Sequence, residues 1–151
     1  EHKGFLRSLF HTHTPLLGDN NFYNNNFSQE SLFQFQSDAI RKAADECSCV
    51  FVGRCADYVL RNNKNIINIF ITADMDQRIQ RVCDRHKCDR ATARKLINNG
   101  EDDRASYYNY YTGKKWGHSA SYDLCVNSSV LGIEETAKYI TEFIKKKFQI
   151  E

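Results

Sequence analysis

Apolar residues recur at helical spacing from about Ser28 to Glu46. Leu32, Phe35, Ala39, Ile40 and Ala43 fall on one face there, and Ser28 is a candidate N-cap. Cys49-Val50-Phe51-Val52 follows, a short continuous apolar run of the kind buried in parallel sheets. Asp57 to Arg61 read as a brief helix and Asn62-Asn63-Lys64-Asn65 as a turn. Ile66-Ile67-Asn68-Ile69-Phe70-Ile71 is a second strand. Asp74-Met75-Asp76 opens a helix through about Arg85, acidic at its start and basic later, as the helix dipole favours. Asp89 is expected to cap a further helix from Arg90 to about Asn98. Glu101 to Tyr111 is helical in character but has no clear boundary. Leu124-Cys125-Val126 is a third strand. Gly132 precedes a last helix with the stripe Ile133, Ala137, Ile140, Ile144 and Phe148. Residues 1–27 are irregular by pattern. His11-Thr12-His13-Thr14-Pro15, Gly18-Asp19-Asn20-Asn21 and Asn24-Asn25-Asn26 read as loop, with one helical turn available to Phe5, Leu6, Leu9 and Phe10.

Helices alternating with apolar strands predict an α/β fold, a parallel sheet with helices on both faces. The length of 151 residues suits one domain, and 41% hydrophobic residues can supply its core. A net charge of +2 argues for neither nucleic acid nor membrane as a partner. No apolar run approaches the roughly 18 residues of a membrane span. Six cysteines without a secretory signal fit reduced, cytoplasmic thiols used as small core residues. The grouping Cys83, His86, Cys88 lacks a fourth zinc ligand nearby, and the His11/His13 pair reads as polar loop, so no metal site is expected.

Candidate chemistry is concentrated in two places. Val50-Phe51-Val52 runs into Gly53-Arg54, and the carboxyl end of a parallel strand is where ligands bind in such sheets. Gly53 allows a sharp backbone turn, and Arg54 either grips phosphate oxygens in a bidentate fork or pairs with a carboxylate such as Asp57. Arg78, Arg81, Arg85, Lys87, Arg90, Arg94 and Lys95 gather mid-chain, suiting either an anion or a solvated helix face. Arg104 follows Glu101-Asp102-Asp103. Tyr107, Tyr108, Tyr110, Tyr111, Trp116 and Tyr122, near Lys114 and Lys115, stack on bases or pack beneath a lid or against a second copy. Asp123 either orders this region, accepts a ligand hydroxyl or serves as a plain structural carboxylate.

Four blocks in order and spacing resemble the cytidylate-kinase-like family of P-loop nucleoside monophosphate kinases. They are Ile40-Arg41-Lys42-Ala43-Ala44, Val52 to Tyr58, Arg104 to Gly117, and Tyr122-Asp123-Leu124 with Ser128-Ser129. The resemblance spans about residues 28–146. It implies a P-loop kinase-like fold with a helical lid at about 86–120, residues 1–27 being a remnant of the acceptor-binding insert and 28–151 the α/β domain. It also implies transfer of the γ-phosphoryl of ATP, with Mg, to a small phosphate acceptor. By resemblance Arg104 is catalytic. Gly53, Arg54, Arg41 and Asp57 bind the acceptor, and Arg81, Arg85, Glu101, Lys114 and Asp123 serve the donor side and the lid. Small nucleotides are the implied partners, with a homodimer through the tyrosine-rich segment open and nucleic acid disfavoured.

The chain departs from the family's pattern in two ways. Cytidylate kinases carry Gly-Arg-Asp at the acceptor site, and here Cys55 replaces the aspartate, which weighs against CMP. No Gly-x-x-x-x-Gly-Lys-Ser/Thr occurs in the chain, so the loop that cradles donor phosphates is absent from it. The first strand and P-loop are expected upstream of Glu1. The 151-residue chain is expected to be inactive alone, which leaves a non-catalytic nucleotide-binding module as the alternative to a kinase and a single-strand nucleic-acid binder as a third reading.

Overall fold

The computed structural model describes residues 22–150, with side chains from Gln29 onward. The predictions made for residues 1–21 lie outside the described residues. The chain divides into two compact units, Glu1–Gln36 and Ser37–Glu151. Of the first unit only the opening turns of α1 (Phe22–Glu46) are described. This helix starts ahead of the predicted cap Ser28 and takes in Asn24-Asn25-Asn26. Asparagines are weak helix formers but not breakers, so a helix already nucleated runs through them at small cost.

The second unit continues with α2 (Ala56–Val59), β1 (Ile69–Thr72), α3 (Met75–His86) and α4 (Arg90–Thr112). A 3-10 turn at Ser119–Ser121, β2 (Leu124–Asn127) and α5 (Ser128–Phe148) complete it. The strands pair in parallel, Ile69 with Leu124 through Thr72 with Asn127. The expectation of a three-stranded parallel sheet with helices on both faces is corrected here: the described chain is 66% helical and its sheet has two strands. The run Cys49–Val52 forms no ladder, and Val50 and Val52 are 93% and 90% exposed. An apolar run becomes a strand only where a partner takes up its N–H and C=O groups, and no described strand lies beside this one.

The main apolar cluster joins α3 to α4. Ile79, Ala93 and Ile97 are buried there, with Met75, Val82, Cys83 and Cys88 packed against them. The two helices predicted across Arg90–Tyr111 are one helix of 23 residues. Asn98-Asn99-Gly100 does not break it, because an interior glycine costs only about 1 kcal/mol against alanine. Asp89 caps its start by accepting from the Thr92 N–H at 2.7 Å, and Gly113 closes its end at φ 67. That bond to Thr92 also holds the Asp89 carboxyl below the usual carboxylate range. α5 is kinked at Gly132, whose φ of 77 suits glycine.

Polar ties connect the turns at the carboxyl ends of the two strands. Ser128 Oγ donates to the Thr72 carbonyl at 3.0 Å, the Asp74 N–H to Ser129 Oγ at 2.8 Å, and Asn127 Nδ2 to Asp74 Oδ1 at 2.8 Å. The amino ends are tied through Asp123. Its carboxylate accepts from the Asn68 N–H at 2.7 Å and from Lys147 Nζ at 3.1 Å. Burial raises its pKa, but the Asn68 and Lys147 bonds outweigh that and leave the group lowered.

Candidate anion-binding site

A cleft of about 350 Å³ opens at the carboxyl end of β1. The strand provides Phe70, Ile71 and Thr72 as its floor, and Ser128, at the carboxyl end of the neighbouring strand, adds an edge. Helix α3 supplies Arg78 and Arg81, α4 supplies Glu101 and Arg104, and the loop after α4 supplies Trp116. The same α3–α4 packing that buries Ile79 and Ile97 therefore sets the arginines side by side. Arg78 and Glu101 form an ion pair at 2.7 Å, each only partly exposed. Arg81 donates to Gln77 Oε1 at 3.2 Å, one turn back on its own helix. The guanidinium of Arg104 lies over Gly100, where a Cβ would come within 3.4 Å of its Nη2.

Trp116 is fixed by packing and by one hydrogen bond. Its ring meets Phe70 edge-on with centroids 5.4 Å apart, and its backbone N–H donates to Asn109 Oδ1 at 2.7 Å. Tyr122 packs on the same phenylalanine, with centroids 5.0 Å apart. Gly117 presses against that ring: a Cβ there would stand 3.2 Å from Phe70 Cζ, and its φ is +72. Gly117→Ala is expected to lower stability by about 1–2 kcal/mol from the left-handed backbone alone, with the ring contact adding to it. Thermal unfolding reads this directly, and an unchanged midpoint refutes it.

The other sequence candidates fall elsewhere. Gly53, Arg54 and Cys55 are three successive left-handed residues, with φ 71, 56 and 56. Such a backbone costs non-glycine residues about 1–2 kcal/mol each, so surrounding contacts must hold it. Cys55 is tucked in at 3% exposure, and burial pushes its thiol up to about 12. Arg54 lies over the Tyr107 ring at 6.0 Å. Burial, with Cys55 nearby, raises the Tyr107 hydroxyl to about 12. Asp57 accepts a 2.7 Å bond from the Tyr108 hydroxyl, which ties the turn to α4. Burial and this bond also raise the Tyr108 pKa. Tyr108→Phe is expected to cost about 1.5–3 kcal/mol, the range for a hydrogen bond to a charged group. The freed turn should then be nicked faster by trypsin after Arg54, a change limited proteolysis would record.

Arg54 is not among the residues lining the cleft, but its partner Tyr107 sits one helical turn from Arg104. Arg41 pairs with Asp38 at 2.9 Å, one turn apart on α1 and both exposed. Arg85 and Lys114 are exposed and outside the cleft lining, and Asp123 stands at the opposite end of the strands. Of the predicted site residues, the cleft thus gathers Arg81, Glu101 and Arg104. It adds Arg78 and Phe70, which were not singled out as site residues. Arg78 was legible as the neighbour of Arg81 at i,i+3. Phe70 carried no signal beyond an apolar run.

Mg²⁺ takes oxygen ligands in octahedral array. The lining offers one carboxylate, Glu101, already paired with Arg78, among three arginines. These residues do not fit a protein-held Mg²⁺.

The chain belongs to the cytidylate kinase-like family, whose sequence profile matches residues 1–130. The crystal structure of an uncharacterized protein from Eubacterium ventriosum is similar at a TM-score of 0.74 and 34% identity, over 77% of this chain and 73% of that one. No protein of curated function matches. Among the described residues, no helix is long and apolar enough to cross a membrane.

Proposed function

We propose that this chain is a nucleotide-binding module that holds the phosphates of a nucleotide between Arg78, Arg81 and Arg104. The observation that carries the reading is their convergence on one cleft beside Trp116 and Phe70, with Glu101 as the single opposing carboxylate. Guanidinium groups recognise phosphate oxygens in bidentate pairs, and an aromatic wall accepts a base or sugar face. The family match makes a nucleotide the natural anion.

Phosphoryl transfer by this chain alone is not part of the proposal. The reaction needs donor phosphates cradled by backbone N–H groups and a lysine, with a metal ion beside them. The sequence has no such loop, and the cleft suits no protein-held Mg²⁺. Transfer is a second reading, supported by the family match, for a protein in which a P-loop segment completes the site.

The test is a titration of the chain with nucleoside mono-, di- and triphosphates, followed through Trp116 fluorescence and paired with an assay for phosphate transfer from ATP to CMP. Saturable binding that tightens with phosphate number, without turnover, is the expected result. Turnover by this chain would replace the module reading with the kinase one. Binding only to oligonucleotides, growing with their length and falling steeply with salt, would mark a single-strand binder instead.

A further inference from the structure

The nucleotide reading leaves one pair of reactive side chains unused. Cys47 and Cys49 flank Ser48 just beyond α1, both exposed, with their sulfurs 3.5 Å apart. Both thiols point at one acceptor, the carbonyl oxygen of Ala43, at 3.7 and 3.4 Å. That carbonyl belongs to the last turn of the helix, where it also accepts the Cys47 backbone N–H at 3.2 Å. It therefore holds the two sulfurs on the same side of the chain. The other cysteines differ: Cys55 is buried, Cys83 and Cys88 neighbour one another but are partly buried against the α3–α4 core, and Cys125 is exposed on β2.

We propose that Cys47 and Cys49 form a reversible redox site that exchanges with small-molecule disulfides and closes to an internal Cys47–Cys49 disulfide. The sulfurs need to move together by about 1.5 Å to reach a bond of about 2.05 Å, within the swing of two side-chain torsions. The step balances as ordinary exchange. The Cys47 thiolate attacks one sulfur of RS–SR, that bond breaks, and RS⁻ leaves and takes up a proton. Cys49 then attacks the mixed disulfide at the Cys47 sulfur, the new bond forms, and the second RS⁻ leaves. Two protein thiols are oxidised, and one disulfide is reduced to two RSH.

A ring closed across a single intervening residue is tight. Strained, exposed disulfides are the readily reduced kind, so the bond acts as a switch rather than a staple. Closure falls at the joint between α1 and the extended segment that leads into Gly53 and Arg54.

The test uses the intact chain equilibrated in graded mixtures of reduced and oxidised glutathione, quenched with acid, alkylated after unfolding and digested with trypsin. Cleavage after Lys42 and Arg54 releases a peptide, Ala43 to Arg54, whose cysteines are Cys47 and Cys49. The expected peptide has lost two hydrogens and carries no alkyl group in the oxidising mixtures. It regains two alkyl groups in the reducing ones, while Cys125 goes no further than a glutathione adduct. Cys49→Ser is expected to leave Cys47 trapped as its glutathione adduct, a species that stays minor in the parent chain. Both positions are exposed, so the variant is expected to fold. Persistent glutathione adducts on the parent peptide, a cross-link between two chains, or thiols still free where Cys125 is modified would each overturn the proposal.

Discussion

Replacing Arg104 with alanine is expected to weaken nucleoside triphosphate binding about tenfold to a hundredfold. That corresponds to about 1.5–3 kcal/mol for one charge-assisted hydrogen bond to phosphate. Arg104 is exposed and rests over Gly100 with no ion pair among the described residues, so little folding free energy depends on it. Its charge is therefore available to a ligand, unlike that of Arg78, which is engaged with Glu101 at 2.7 Å. Lysine at position 104 should restore only part of the affinity, since it keeps the charge but loses the planar fork. Glu101→Gln should act in the opposite direction. Removing the carboxylate that competes for Arg78 is expected to tighten binding severalfold, at a modest cost to the α3–α4 contact. The readout is fluorescence of Trp116, the only tryptophan, titrated at one fixed ionic strength because screening would otherwise blur the comparison. Unchanged affinity in Arg104→Ala together with weaker binding in Glu101→Gln would remove the arginine cleft as the binding site.

The helices were legible because their signals are local. Asp89 is a capping residue in sequence and in structure, and the acid-to-base gradient from Asp74 to Arg85 marks α3. The parallel pairing of β1 with β2 follows from apolar runs separated by helical sequence. The Val50–Val52 run was misread for a physical reason. Hydrophobicity specifies burial in some partner, and a strand needs a neighbour's backbone, which no local pattern encodes. The site was partly legible in the same sense. Helical spacing puts Arg78 and Arg81 on one face and Glu101 and Arg104 on one face, but only the α3–α4 packing brings the two faces together. The left-handed conformations of Arg54 and Cys55 were invisible, since neither residue type favours positive φ. The Asp57–Tyr108 bond spans a distance in sequence that no motif spacing predicts.

Ile79→Ala is expected to be strongly destabilising, by about 2–5 kcal/mol, from lost burial and the cavity left behind. Ile79 is 2% exposed and sits against Ala93 and Ile97, with Met75, Val82, Cys83 and Cys88 around them. Ala93 is already fully buried and has no larger side chain to move into the gap, which argues for the upper part of that range. At about 4 °C per kcal/mol for a domain of this size, the melting midpoint should fall by roughly 8–20 °C. Ile133→Ala provides the comparison: Ile133 is 63% exposed, and its truncation should change stability by no more than about 0.5 kcal/mol. The contrast also bears on function, because the helices that Ile79 holds together carry Arg78 and Arg81 on one side and Glu101 and Arg104 on the other. Below its lowered midpoint, Ile79→Ala should still bind the nucleotide, with affinity reduced only as the α3–α4 contact loosens. It should lose binding and helicity together on heating, followed by Trp116 fluorescence and circular dichroism in one sample. Binding lost well below the unfolding transition would mean that the arginines depend on finer placement than α3–α4 packing alone supplies. A midpoint as high as that of Ile133→Ala would mean that this cluster is not what holds the second unit together.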